Sequence, residues 1–451
     1  MPTGTDASNW ETHLSSLHAP CRQKAIDFFI IQAENNKHEC PPATQPGNLH
    51  AHTFYSFNCY GYSPTHFALL ARRAGMEVAG IVDFDVLDGL MEFHEAGNRL
   101  NLRTVVSLET RVMVSSFARR VINSPGEPAI AYHMAAGFTR LPDDIVSRSF
   151  LQRLSEQAAQ RNREVINRVN HVLKPALIHY EADVLPLTPN QNATERHICQ
   201  AFARKAAKVI DPEYLAKFWV DKLGSAIAAE DLPESPTLLN RLRARTMKQG
   251  GPGYVPPRPE SFPSIDDFNQ FALACGALPT LAWLDGFSDG ESDMDAWLAA
   301  SGACILNIIP DRNFTPGQPD RKLEKLREVM AWARAMELPV IAGTEMNSYG
   351  QKFVDDFAAE ELKPFVPVFQ EGARIVYAHT VLQRAGGFGY LGHWADRHFP
   401  VRADRNAFFA ALGAHCEPSR EIKLAGITEQ TSPDELLRRI DASCVPSIGT
   451  F

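Results

Sequence analysis

The sequence predicts a mixed α/β protein with a largely parallel sheet and a helical insertion. Three observations predict it. From residue 48 to about 135, short apolar runs alternate with helical patterns, which is typical of βαβ units. From about 142 to 251 the strand patterns stop, and apolar residues recur at helical spacing. After GGPGYVPPRPESFP, which is too rich in Gly and Pro for a regular element, the alternation of strands and helices returns.

The predicted elements follow in chain order. An N-terminal helix lies within residues 8–35, ahead of a Pro-rich joint. Four strand-like runs then alternate with helices near 63–75 and 86–99: NLHAHT, VAGIVD, RTVVSLE and AIAYH. Three later runs are also predicted as strands: PTLAWL, ACILNII and PVIAG.

Helices are predicted in the insertion and in the C-terminal part. The insertion carries one long apolar stripe from Ile145 to Val172, with further helices near 194–209 and 212–229. The tail combines a strand-like run, RIVYAH, with helices near 404–413 and 432–442. The expected organisation has four parts: an N-terminal helical extension (1–46), a sheet-bearing body (47–141 and 252–361), the helical insertion (142–251) and an α/β C-terminal extension (362–451).

Composition and charge narrow the function classes. The hydrophobic fraction of 45% and charged fraction of 22% exclude a disordered or collagen-like chain. The net charge of −8 provides no overall positive field, so neither nucleic acid nor a membrane is expected as a partner. The absence of an apolar run of about 20 residues and of a signal-peptide pattern leads us to expect a cytoplasmic protein. Eight cysteines without a C-x-x-C pair do not suggest a zinc ribbon or a disulfide framework.

Metal-ligating residue types follow several predicted strands. His50 and His52 stand at i and i+2 of one strand, so both side chains project from the same face. Four further candidates end or closely follow other strand-like runs: Asp83, Glu109, His133 and Glu345. Because functional groups of a parallel barrel gather at the C-terminal ends of its strands, this pattern predicts a metal site.

Simpler roles remain open for some of these residues. An isolated H-x-H pair is more often two polar residues at a strand end. Asp83 is better explained as the cap of the helix in VLDGLMEFHEA, or as a partner that orients a histidine, than as a direct ligand. His133 fits a core histidine bonded to backbone as well as it fits a ligand.

The motifs resemble those of the PHP (polymerase and histidinol phosphatase) superfamily. That family opens with H-x-H-T-x-x-S, then a Ser-Pro that starts a helix, a D-H dipeptide after the second strand and a Glu after the third. Here the corresponding stretches are GNLHAHTFYSFNCYGYSPTHF, VAGIVDFDVLDGLMEF and VVSLETRV. The resemblance continues through NATERHICQAF, GYVPP and ALPTLAWLDG to IAGTEMNS, where the family usually has G-S-D-x-H, and covers roughly residues 48–350.

This resemblance implies a fold and a metal site. The fold would be a distorted (β/α)7-type, TIM-like barrel, formed by residues 47–141 and 252–361, with up to three metal ions at its mouth. His50, His52, Glu109 and Glu345 would hold one ion, and Glu109 would bridge to a second ion held with His133. The expected cofactor is a divalent ion of zinc, manganese or iron, with one or two per chain.

Four positions depart from the family pattern. Asn58, Phe84 and Asn347 stand at three usual ligand positions of the third ion. Trp283 stands where a strand normally ends in a ligating His. Because a phenyl ring cannot bind a metal and carboxamides are weak donors, we expect no third ion and a weaker second site.

The expected activity is that of a metal-dependent phosphoesterase acting on a small phosphorylated metabolite through a metal-activated water. Asp83 and Glu109 are the expected catalytic residues. Arg196, His197 and Arg258 are candidate phosphate ligands, although Arg is also a common solvated residue. Two alternatives stay open: a barrel that binds one metal or ligand without turnover, and a mononuclear metalloenzyme acting on a carbonyl substrate. The sequence leaves the oligomeric state open.

Overall fold

A curled sheet of six strands forms the centre of the fold. The structure, a computed structural model, describes residues 10–34, 40–225, 227–314 and 321–440. Within these ranges the strands are β1 (Val78–Phe84), β2 (Arg103–Met113), β3 (Ile130–Ala136), β4 (Leu278–Trp283), β5 (Ile305–Ile308) and β6 (Val340–Ala342). They are arranged side by side in chain order.

The direction of β3 corrects the expectation of a parallel sheet. Pairs β1–β2, β4–β5 and β5–β6 are parallel, whereas β3 runs antiparallel to both β2 and β4. A parallel pair needs a crossover connection, usually an α-helix. The connection from β2 to β3 contains no α-helix, only a 3₁₀ turn at Ser115–Phe117, so the chain returns in the opposite direction.

The run NLHAHT is an extended segment that joins the two edges of the sheet. Ala51 makes parallel bridges to Ile81 in β1 and to Glu345, which follows β6. The backbone N–H of Leu49 donates to the carbonyl of Ala342 in β6. The fold is therefore mixed α/β with a curled sheet, as the predicted class requires, and the finer (β/α)7-type barrel stays a prediction.

Sixteen α-helices surround the sheet within the described ranges. They are α1 (Trp10–His13), α2 (Ala19–Glu34), α3 (Pro64–Arg73), α4 (Leu90–Leu100), α5 (Ile145–Val172), α6 (Glu195–Val209), α7 (Pro212–Leu223), α8 (Pro236–Thr246), α9 (Ile265–Ala274), α10 (Met294–Ser301), α11 (Pro310–Asn313), α12 (Arg321–Ala335), α13 (Val366–Gly386), α14 (His393–His398), α15 (Arg402–His415) and α16 (Pro433–Ile440). None of these helices is long and apolar enough to cross a bilayer.

The prediction of a strand at RIVYAH is wrong, because these residues lie inside helix α13. A short apolar run has the same pattern in a buried strand and in a helix buried on several sides. Helix α13 is of the second kind, since Ile375, Val376 and Tyr377 are all buried. The helices expected near 404–413 and 432–442 are present as α15 and α16, with residues 441–442 outside the described ranges.

Three large hydrophobic clusters hold these elements together. The largest packs the N-terminal helices and those of the body against the sheet. A second is confined to residues 165–247 and gives helices α5 to α8 a core of their own. The third joins the sheet to helices α13 to α16. In this third cluster α13 lies so close to β6 that a Cβ at Gly372 would stand 2.0 Å from the carbonyl oxygen of Val340.

Candidate active site

Three predicted metal ligands converge at one end of the curled sheet. The extended segment carries His50 and His52, and β2 carries Glu109. The Glu109 Oε2 atom lies 3.5 Å from His50 Nε2 and 3.2 Å from His52 Nε2. One ligand atom from each of the three residues lies within 4.8 Å of the others, and all three residues are buried. The i, i+2 spacing of the histidines therefore places both side chains on one face, as strand geometry predicts.

Hydrogen bonds orient both imidazoles toward this cluster. His50 Nδ1 lies 2.8 Å from Asn307 Oδ1, and His52 Nδ1 lies 3.0 Å from Ser56 Oγ. The Nε2 atoms of both histidines are buried and make no hydrogen bond with the described residues. Two imidazole nitrogens and a carboxylate, buried and aimed at one another, form a donor set that suits a divalent ion.

The charges in the cluster depend on one another. Burial opposes the ionisation of Glu109, but His50 and His52 outweigh burial and lower the pKa of this carboxyl to about 2. Burial also opposes a charge on His50, but Glu109, and then Glu345, raise its pKa. A proton on His50 and a metal ion are thus competing cations for the same carboxylate, and we expect metal binding to release protons.

Asp83 is linked to the cluster by hydrogen bonds to Thr53 and Ser56. Its Oδ1 accepts hydrogen bonds from the backbone N–H of Thr53 at 2.8 Å and from Ser56 Oγ at 2.6 Å, and its Oδ2 accepts one from Thr53 Oγ1 at 2.7 Å. The capping interpretation is wrong, because α4 begins at Leu90. Since Ser56 contacts both Asp83 and His52, the hydrogen bonds support the interpretation that Asp83 orients a histidine. Burial raises the pKa of Asp83.

His133 lies on the other face of the sheet. Tyr132 pairs with Arg111 across β2 and β3, and both line the pocket described below, so the next residue along β3 must point away. His133 Nε2 lies 2.9 Å from Asn269 Oδ1, and burial lowers the pKa of the imidazole to about 4. The expectation that His133 joins the metal site is therefore corrected: it is a buried residue behind the sheet.

Glu345 lines the pocket, but its carboxylate is hydrogen-bonded by other side chains of the protein. Arg312 Nη2 lies 2.7 Å from each of its carboxylate oxygens, and Gln351 Nε2 donates to Oε2 at 2.9 Å. Its ligand atoms are not within the cluster formed by His50, His52 and Glu109.

The four departures from the family pattern have distinct surroundings. Phe84 stacks on His52, with ring centroids 4.4 Å apart. Asn58 holds a turn, because its Nδ2 donates to the His52 carbonyl and its Oδ1 accepts from two backbone N–H groups. Trp283 and Asn347 line the pocket. Neither Phe84 nor Asn58 offers a donor atom toward an additional ion.

A pocket of about 490 Å³ opens above the cluster and is rich in cations. Six positively charged side chains line it: Arg111, Arg161, Arg196, Arg243, Lys248 and Arg312. Four carboxyls line it as well: Asp85, Glu109, Glu195 and Glu345. The excess of cations makes the pocket suited to an anionic ligand.

The candidate phosphate ligands are only partly in this pocket. Arg196 lines it and donates to Ser348 Oγ and Asn240 Oδ1. His197 is buried and its Nδ1 accepts from the backbone N–H of Thr194, so it caps helix α6. Arg258 is exposed outside the pocket, 3.9 Å from Glu164.

Sequence reasoning missed most of the pocket cations. Arg111 could have been found, because it stands at i+2 from Glu109 on a strand. Arg161, Arg243 and Lys248 belong to the helical insertion, and no local pattern distinguishes them from solvated residues.

The pocket cations differ in how fully they are neutralised. Arg243 Nε and Lys248 Nζ share Glu195, at 2.7 and 2.9 Å. Arg161 has no ion pair within the described residues, and its guanidinium lies 4.9 Å from the ring centre of Phe262. Burial and the nearby charge of Arg111 lower the pKa of Arg161 to about 10.

Solved structures of other proteins are similar to this structure at low sequence identity. No protein-family profile and no curated protein matches the chain. A crystal structure of a protein from Bifidobacterium adolescentis, described as a metal-dependent phosphoesterase, is 17% identical and has a TM-score of 0.46, covering 73% of this chain and 98% of that one. The structure of an amidohydrolase from Chromobacterium violaceum, with bound sulfate and no metal, is 15% identical and has a TM-score of 0.46, covering 71% of this chain and 96% of that one.

Proposed function

We propose that this protein is a metal-dependent phosphoesterase acting on a small phosphorylated molecule, and that it is a divergent member of the PHP superfamily. One observation carries the proposal: the buried donor set of His50, His52 and Glu109 lies at a pocket lined by six cationic side chains. A divalent ion held there would lower the pKa of a bound water and neutralise phosphate charge.

The surrounding residues would prepare the donor set and bind the substrate. Asp83 and Ser56 fix the orientation of His52, and Asn307 fixes that of His50. The guanidinium groups of Arg111, Arg161 and Arg196 offer planar donors that match phosphate oxygens. In this arrangement Glu109 holds the ion, while Asp83 acts through Ser56 without touching the substrate.

The test combines metal analysis with a hydrolysis screen. The protein, purified without added metal, is analysed for bound elements and then assayed for phosphate release from a panel of phosphomonoesters and phosphodiesters. We expect release that depends on Mn²⁺ or Zn²⁺, stops on chelation, and is lost in Glu109→Gln. Bound metal with no release from any phosphoester would contradict the proposal.

A second candidate is a protein that binds one ion and an anionic ligand without phosphoester turnover. Phe84 favours it, because its ring covers one face of His52 at a position where the resemblance would place a metal ligand. Phosphate binding in the presence of metal, together with a silent hydrolysis screen, would support this candidate.

A further inference from the structure

The pocket contains a carboxylate that an arginine already neutralises. Both oxygens of Glu345 accept from Arg312 Nη2 at 2.7 Å, and Gln351 donates to one of them. A carboxylate that accepts hydrogen bonds from a guanidinium on both oxygens is held in its charged form. Glu345 is therefore an ionised group with both oxygens engaged by protein donors.

Arg312 also acts on the carboxylate of the candidate metal site. Arg312, Glu109 and Glu345 all line the same pocket, so the guanidinium and both carboxylates share one region. Glu109 and Glu345 are like charges within this pocket and repel each other. Two ionised carboxylates in one buried region are stable only when each of them is paired with a nearby cation. An ion at His50, His52 and Glu109 would supply one cation, and Arg312 supplies the other.

The backbone around Glu345 is held in an uncommon conformation. Glu345 and Met346 have φ values of 64° and 54°, a left-handed region that residues other than glycine seldom adopt. The backbone N–H of Glu345 donates to the carbonyl of His50 at 2.6 Å. Backbone strain of this kind persists only where the surroundings hold it, and it clusters at functional sites. The position of Glu345 beside the histidines is thus specified by the fold.

The surrounding structure also fixes the position of Arg312. It lies in the short helix α11, whose last residue, Asn313, donates through Nδ2 to the carbonyls of Leu284 and Ile309. Its side chain then enters the pocket from the end of β5, opposite Glu345.

We propose that Arg312 takes the place of a second metal ion, so that the site holds one divalent ion at His50, His52 and Glu109 and a permanent guanidinium at Glu345. This inference rests on the proposed metal centre. A guanidinium stays charged at every physiological pH and presents planar donors to an oxyanion. It can therefore stabilise negative charge on a substrate without a second ion, and it restricts Glu345 to a role outside the ion's ligand set.

Metal stoichiometry tests the inference directly, without an activity assay. The metal-free full-length protein is titrated with Mn²⁺ by calorimetry, and bound metal is measured after gel filtration. We expect one equivalent for the parent and two for Arg312→Met, because the substitution frees the Glu345 carboxylate. The double variant Arg312→Met/Glu345→Gln should return to one equivalent. The matched control is Arg196→Met, which removes another pocket cation and should leave the count at one.

Each result has a defined meaning. A parent that binds no ion contradicts the proposed metal centre and the inference with it. A parent with two equivalents, or a folded Arg312→Met with one, contradicts the inference and leaves the metal centre intact. If Arg312→Met does not fold, Glu345→Gln alone decides: an ion retained within about threefold of the parent affinity supports the inference, and loss of the ion shows that Glu345 is a ligand.

Discussion

At the scale of single residues, each imidazole of the site has one nitrogen in a hydrogen bond and the other directed at the cluster. His52 faces Glu109 through Nε2 and Ser56 through Nδ1, and Ser56 in turn contacts Asp83. Such outer partners fix the ring orientation and raise the basicity of a metal-binding imidazole. His133 has the same chemistry as His52 but points away from the pocket, toward Asn269. The direction of the side chain, more than the residue type, decides which of these two histidines belongs to the site.

This difference gives a paired prediction. We expect His52→Ala to remove most bound metal, because it deletes one of three clustered donors, and His133→Gln to retain it. Elemental analysis of both variants after dialysis, with circular dichroism to confirm folding, is the measurement. Metal loss in His133→Gln with retention in His52→Ala would mean that the ion binds elsewhere.

A second prediction concerns pH and the buried His379. Its Nε2 lies 2.8 Å from the carbonyl of Gly276, and its Nδ1 accepts from the backbone N–H of Tyr390 at 3.0 Å, so a second proton has no place. Burial lowers the pKa of this imidazole to about 4. Between about pH 6.5 and pH 4 the unfolded chain therefore binds a proton that the folded protein does not, and stability falls as the pH falls.

The size of this effect follows from the pKa difference. Each pKa unit corresponds to about 1.4 kcal/mol, so His379 contributes a loss on the order of 3 kcal/mol between pH 6.5 and pH 4. Urea unfolding of the metal-free parent and of His379→Gln at several pH values isolates this contribution, because other buried histidines with a lowered pKa, such as His94 and His197, add to the decline of the parent. The variant His379→Gln should be less stable at pH 7 but show a shallower decline toward pH 4; an unchanged decline would show that His379 is not the group that titrates.

At the scale of elements, the pocket joins two parts of the chain. Strand β2 contributes Glu109 and Arg111 on one face, about 7 Å apart by strand geometry. Helix α5 of the insertion contributes Arg161, and α8 contributes Arg243. The insertion has its own hydrophobic cluster, yet its charged side chains complete a pocket whose metal-binding end belongs to the sheet. The pocket therefore exists only when both parts are folded.

Arg161 tests the contribution of the insertion. The guanidinium of Arg161 makes no ion pair within the described residues, so Arg161→Ala breaks no salt bridge. It should weaken the binding of inorganic phosphate about 10- to 150-fold, the loss expected for a charged hydrogen bond of roughly 1.5–3 kcal/mol. The matched control is Arg163→Ala on the same helix, where Arg163 pairs with Glu181 in solvent. Calorimetry should find the control within about twofold of the parent, and equal losses in both variants would argue against a specific role for Arg161.

At the scale of the whole molecule, the C-terminal helices belong to the core. The cluster that contains Trp394 and Phe409 also contains Val78, Val105 and Ile305 from three strands. Gly372 and Gly413 permit close backbone contacts, since a Cβ at these positions would meet carbonyl oxygens of Val340 and Arg374 at 2.0 and 2.1 Å. The tail is thus packed directly against the sheet.

Removal of residues 362–451 should therefore prevent independent folding of the remaining chain. The sheet would expose an apolar face of the kind that proteins bury or use for association. We expect an insoluble product, or a soluble one without a cooperative thermal transition, as measured by expression analysis and calorimetry. A truncated chain that unfolds cooperatively at the parent temperature would show that the tail is an independent addition.

The sequence by itself determined the local features of this protein. Strand alternation identified all six strands, β1 to β6, and the i, i+2 spacing placed His50 and His52 on one face. These predictions succeeded because side-chain direction follows from backbone periodicity within a few residues. The convergence of both histidines with Glu109 was also predictable, because their strand segments end at the same side of the sheet.

Only the tertiary structure decided the direction of β3, the helical state of RIVYAH and the set of cations around the pocket. An apolar run has the same pattern in either strand direction, and AIAYH does not show which of its faces meets the pocket, so the position of His133 on the other face could not be predicted. Arg161, Arg243 and Arg312 come from distant parts of the chain, and each resembles a surface residue in its own segment. Their common position depends on long-range packing, which local periodicity does not encode. The same packing placed Arg312 on Glu345 and so separated this carboxylate from the ligands that its position in the sequence suggested.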